Sequence, residues 1–102
     1  MSQIANTIWN QIPVTTKMAL GARNVSVING DDLTFRVGGR ARKEIIIKLD
    51  RGSDLYNVTL YTFTGVGKFS KQTLNGIDCE NLGETLLQIT NTGDTLSPRY
   101  RG

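Results

Sequence analysis

Near the N-terminus, Ile4, Ala5, Ile8, Trp9 and Ile12 recur at spacings of one, three and four, which sets them on one face of a helix. The pattern predicts a helix that begins after Ser2, whose hydroxyl can accept from an early backbone N–H, and that stops at Pro13. Trp9, on the apolar stripe, reads as a core anchor. From Arg23 onward the period changes to two. Val25, Val27, Leu33, Phe35 and Val37 alternate with Asn24, Ser26, Thr34 and Arg36, as half-buried strands do. Between the two runs, Ile28-Asn29-Gly30-Asp31-Asp32 carries an Asn-Gly turn signal, so the pair forms a hairpin.

A third strand from Glu44 to Leu49 holds three consecutive isoleucines and is expected at the centre of a sheet. Leu55 to Thr64 is a longer run of aromatic and β-branched residues, joined to the third strand by a turn around Gly52. Phe69 to Leu74 is a weaker fifth strand, ending at Asn75-Gly76. Asp78 then caps a second helix, about Cys79 to Asn91, with Leu82, Leu86, Leu87 and Ile89 on its apolar face and Gly93 as a left-handed stop. The expected fold is α+β: an antiparallel four- or five-stranded meander with an N-terminal and a C-terminal helix on one face. Residues 1–93 form a single domain, and 94–102, containing Pro98 and no periodic pattern, form a flexible tail. An unpaired sheet edge allows a homodimer.

Composition removes much chemistry from consideration. The chain has 102 residues, no histidine and one cysteine. There is no Ser-His-Asp triad, no Cys-His pair and no His-ligated metal, and Cys79 alone builds neither an internal disulfide nor a Cys-rich zinc site. Asp31 with Asp32 and Asp50 with Asp54 sit beside turn residues, where aspartate stabilises the turn itself, and further ligands for a metal are missing. The expectation is a non-enzymatic protein without a cofactor. No basic-then-apolar leader opens the chain, and no apolar run exceeds three residues, as in Ile45-Ile46-Ile47, against the roughly 20 that span a bilayer. A protein without membrane association is expected, with its lone thiol suited to a reducing cytoplasm.

Charge is unevenly placed. The 12 Lys and Arg exceed the 9 Asp and Glu by only three. Yet Arg36, Arg40, Arg42, Lys43, Lys48, Arg51, Lys68 and Lys71 face only Glu44, Asp50 and Asp54 within residues 36–71, while Asp78, Glu80, Glu84 and Asp94 are unopposed within 78–94. A basic sheet-and-loop side and an acidic helix side follow. In Gly38-Gly39-Arg40-Ala41-Arg42-Lys43, a glycine pair precedes three cations that could lie along a phosphate backbone; a solvated loop guarding a sheet edge explains the same residues. The spacing is not that of a Walker loop. Tyr56, Tyr61, Phe63 and Phe69 lie near these cations, and rings on an open sheet face would stack unpaired bases. Alternation puts Tyr61 and Phe63 on one face and Tyr56, Val58 and Leu60 on the other, so only one set can lie under the helices. Arg99-Tyr100-Arg101 is either a basic aromatic clasp or an untethered tail.

Thr7, Ile8 and Gln11, then Met18, Gly21, Ala22, Arg23 and Asn24, then Asp54, Leu55, Tyr56, Asn57 and Val58 match three short patterns: TI-x-x-Q, M-x-x-[AG]-A-[KR]-N and DLY-[DN]-V. In these the chain resembles a group of small uncharacterised proteins encoded by bacteriophages, over roughly residues 7–90, and departs from it at Pro13, where the group more often has glycine. The resemblance implies a phage accessory protein made in the host bacterial cytoplasm and assigns no catalytic residue. The leading expectation is nucleic-acid binding through Arg36, Arg40, Arg42, Lys43, Lys48, Arg51, Tyr61, Lys68 and Lys71. The alternatives are an inhibitor that binds a bacterial host or defence protein, and an oligomer that sequesters a nucleotide.

Overall fold

The computed structural model describes residues 3–38, 42–65 and 68–95, the side chains of 64, 65, 68 and 91–95 excepted. The chain runs α1 (Gln3–Gln11), α2 (Val14–Leu20), β1 (Arg23–Ile28), β2 (Asp32–Val37), β3 (Arg42–Asp50), β4 (Leu55–Gly65), β5 (Lys68–Ile77) and α3 (Leu82–Thr95). The strands form one antiparallel sheet in sequence order, with the isoleucine-rich β3 in the middle as expected. Fold class and five-stranded meander agree with the hydrophobic pattern.

Strand parity sorts the two faces. Leu33, Phe35, Val37, Ile45, Ile47, Tyr56, Val58 and Leu60 join Ala5, Ile8 and Ile12 of α1 and its exit, Leu20 of α2 and Leu82, Leu86 and Ile89 of α3 in a single buried cluster. Each fully buried aliphatic side chain of this kind contributes roughly 1.5–3 kcal/mol by leaving water, and the cluster holds the helices against the sheet. Trp9 closes one side, edge-on to Phe35 at 5.5 Å between ring centroids, with the Lys17 ammonium 4.2 Å from its own ring centre.

Three local features depart from the expectations. Pro13 does not merely end α1; it is the N-cap of α2, a second helix that the Thr15-Thr16 pair, poor in helix propensity, conceals in the sequence. Gly21 ends α2 in the left-handed region at φ 67°, and Arg23 ties that corner down by donating to the carbonyls of Gly21 (3.0 Å) and Gly38 (2.8 Å). The last helix starts at Leu82 rather than Cys79: the Asp78 carboxylate accepts from the backbone N–H of Asn81 at 2.9 Å and closes a turn ahead of the helix. Gly93 is not its stop, since α3 continues to Thr95. Finally, Asn75-Gly76 does not end β5 but makes a bulge in it. Tyr56 pairs with Ile77 and Val58 with Leu74, and Gly76 takes φ 74°. The Ser2 cap and the tail beyond Thr95, with Arg99-Tyr100-Arg101, lie outside the described residues.

Candidate nucleic-acid interface

The sheet face opposite the helices carries the odd-numbered residues of β4 and their partners. Across the strands, Arg36 pairs with Glu44, Glu44 with Tyr61, and Tyr61 with Lys71. One row further, Arg42 pairs with Phe63 and Phe63 with Phe69. Directly paired residues share a face, so cations and rings are brought together here by register.

The rings form one cluster. Tyr61 and Phe63 stack at 6.4 Å between centroids, Tyr61 meets Phe69 edge-on at 5.6 Å, and Phe63 and Phe69 lie 6.1 Å apart. Phe69 is 57% exposed, an unusual amount for a large apolar side chain on the surface. The Arg42 guanidinium sits 5.0 Å from the centre of the Phe63 ring and the Lys71 ammonium 6.0 Å from that of Tyr61. Glu44 stands between Arg36 (3.5 Å) and Arg42 (3.7 Å). Both pairs are partly solvated and long, worth at most about 1 kcal/mol each, so neither locks its arginine away from a stronger anion.

The expected site residues divide as follows. Arg36, Arg42, Lys48, Tyr61 and Lys71 share this face. Arg51 is in the β3–β4 turn, bonded to Asp31 of the β1–β2 turn at 2.9 Å, which ties two turns together at one end of the sheet. Arg40 and the Lys68 side chain lie outside the described residues.

Lys43 has to be removed from the set. It has the parity of Ile45 and Ile47, points into the core with 2% of its surface exposed, and donates to the Thr90 carbonyl of α3 at 3.4 Å. Burial pushes its ammonium below the usual lysine range. The parity was available in the sequence, but the charge and the neighbouring Arg42 concealed it.

Phe69 and Phe63 are the residues that a charge-led reading ranks too low. The period-two pattern of β4 and β5 is the signal that finds them.

A separate cavity of about 390 Å³ opens between α1 and the β3–β4 end of the sheet, lined in part by Gln11, Asp54, Tyr56, Asp78 and Cys79. The Tyr56 hydroxyl donates to Gln11 Oε1, and burial, then the charges of Cys79 and Asp54, raise its pKa. Among the described residues no lysine or arginine lines this cavity, so their lining is unsuited to phosphate. Among the described residues no group of three Asp, Glu or Cys is placed to hold a metal, and no helix is long and apolar enough to cross a membrane. No family model, curated protein or solved structure matches the chain.

Proposed function

We propose that the open sheet face binds single-stranded nucleic acid, as a non-enzymatic accessory protein of the phage group that the sequence resembles. The observation that carries this reading is the cluster of Tyr61, Phe63 and Phe69 with Arg42 and Lys71 over its rings, on the face away from the helices. Exposed rings accept any base by stacking, and that requires bases freed from a duplex. Arg42 and Lys71 lie over the rings, Arg36 and Lys48 share the same open face, and the four supply phosphate contacts. At about 0.7 log units per neutralised phosphate on a single strand, three or four such contacts give a log–log salt slope of about −2 to −3.

A second reading, docking to a host protein, draws on Val14 and Met18. They lie one turn apart on α2, and are 67% and 75% exposed. Fluorescence anisotropy of nuclease-treated protein against single-stranded DNA, single-stranded RNA and a duplex separates the two. Saturable binding of a single strand above the duplex, with that salt slope, supports the proposal. Absence of binding at low salt refutes it and turns the search to α2.

A further inference from the structure

Beside the aromatic cluster the open face is hollowed into a cavity of about 400 Å³, within the range of small-ligand sites. Its lining includes Ile46, the Thr59 and Thr73 hydroxyls, which bond to each other at 3.3 Å, and Tyr61 with Lys71. Asp32, Lys48 and Asn57 line it too, from β2, β3 and β4. Lys48 is the direct partner of Asn57, and Asp32 precedes Leu33, the partner of Ile47, which brings it next to Lys48.

Among the polar groups of this lining, the Thr59 and Thr73 hydroxyls can each donate or accept, whereas Asp32 and Asn57 have a defined hydrogen-bonding sense. Asp32 is only 9% exposed, and its Oδ2 accepts from Asn29 Nδ2 at 3.3 Å. As a carboxylate it offers acceptors alone, with lone pairs left on both oxygens. Asn57 Oδ1 accepts from the backbone N–H of Gly76 at 3.3 Å, on the bulge of β5, so its NH₂ is left as a donor. Lys48 makes no ion pair among the described residues. The cavity therefore presents a paired acceptor with donors beside it.

Base edges can be matched to that order. Guanine alone has two adjacent donors, N1–H and N2–H, followed by an acceptor, O6. Adenine and cytosine each place a ring-nitrogen acceptor beside their amino group, and thymine and uracil flank a single N–H with two carbonyls, so each sets a lone pair against the carboxylate. We propose that this cavity selects a guanine of a bound single strand: Asp32 accepts from N1–H and N2–H, Lys48 or Asn57 donates to O6, and the base lies over Ile46 while its neighbours stack on the aromatic cluster. The inference rests on the nucleic-acid reading of the face and adds base selectivity to it.

The test compares the binding of the full chain to oligo(dT), to oligo(dT) with one central guanine, and to the same strand with inosine, which lacks the N2 amine. One guanine tightens binding about tenfold, the lower part of what a good bidentate pair contributes, and inosine recovers only part of this. Asp32→Asn brings the guanine strand to within about twofold of oligo(dT), both measured on the variant. A thermal melt checks that the variant is folded, and the inosine comparison needs no variant. Equal affinity of the wild-type protein for all three strands overturns guanine selection and leaves the stacking face standing. A guanine preference that survives in folded Asp32→Asn also overturns it. Binding to none of the strands overturns it together with the function proposed above.

Discussion

Arg42 and Lys43 are adjacent cations on β3 whose fates differ because successive side chains of a strand point to opposite faces. Arg42 is 58% exposed beside Phe63 on the open face, whereas Lys43 is buried under α3. Arg42→Ala is expected to remove one phosphate contact, lowering the magnitude of the salt slope by about 0.7. A charge-assisted bond to phosphate contributes about 1.5–3 kcal/mol. Its release from the long contact to Glu44 offsets part of this, leaving a loss of about 1 kcal/mol, or roughly fivefold in Kd. Lys43→Met, similar in length and apolar, is expected to leave Kd and slope unchanged.

The effect of Lys43→Met appears instead in stability against pH. Burial holds the Lys43 ammonium below its ordinary value of 10.5, so between the folded and unfolded values the unfolded chain binds more protons. Stability of the wild-type protein must therefore rise with pH through that window relative to Lys43→Met, which lacks the group. Tyr56, whose raised pKa acts in the opposite direction, is common to both proteins and cancels in the difference. Urea unfolding of wild type and Lys43→Met from neutral to alkaline pH, with anisotropy of wild type and both variants at several salt concentrations, reads stability, affinity and salt slope. A loss of nucleic-acid affinity in Lys43→Met equal to that in Arg42→Ala would refute the assignment of faces.

Other substitutions test the stacking surface and the packing separately. Phe69→Ala should weaken single-strand binding by about 1–3 kcal/mol in anisotropy, with little change in melting temperature, because its ring is mostly in solvent. Ile47→Ala, in the middle of the core, should cost about 2–5 kcal/mol in urea unfolding. Gly83→Ala would bring its new methyl within 2.9 Å of the Pro13 ring, where α3 crosses the start of α2. It should destabilise by roughly 1 kcal/mol or more, read by the same unfolding curves, even though alanine is the better helix former.

Much of this architecture is legible in the period of the apolar residues. Val27 to Val37 and Leu55 to Phe63 announce strands by alternation, and Leu82, Leu86 and Ile89 announce the last helix. What stays hidden is set by tertiary context. A seven-residue α2 is too short to show a helical period of its own, and it persists because Leu20 is buried and α3 packs against it. The start of α3 is displaced because Asp78 serves a turn as readily as a helix end.

For the site, alternation separates Tyr61 and Phe63 from Tyr56, but it does not say which set the helices cover; the three isoleucines of β3 fill both faces and leave that choice open in the sequence. The helices settle it, burying Tyr56, Val58 and Leu60. Charge density along the chain then misplaces Lys43, since proximity in sequence carries no information about strand face, and it gives no sign of a turn-to-turn ion pair such as Arg51 with Asp31.

The central claim is that the open face is where nucleic acid binds, and amide chemical-shift mapping by NMR during titration with a single-stranded oligonucleotide addresses it most directly. The account predicts that the largest shifts fall on Arg42, Tyr61, Phe63, Phe69 and Lys71, with α1 and α2 unaffected. Shifts centred on Val14 and Met18 of α2, with β4 and β5 unmoved, would contradict it.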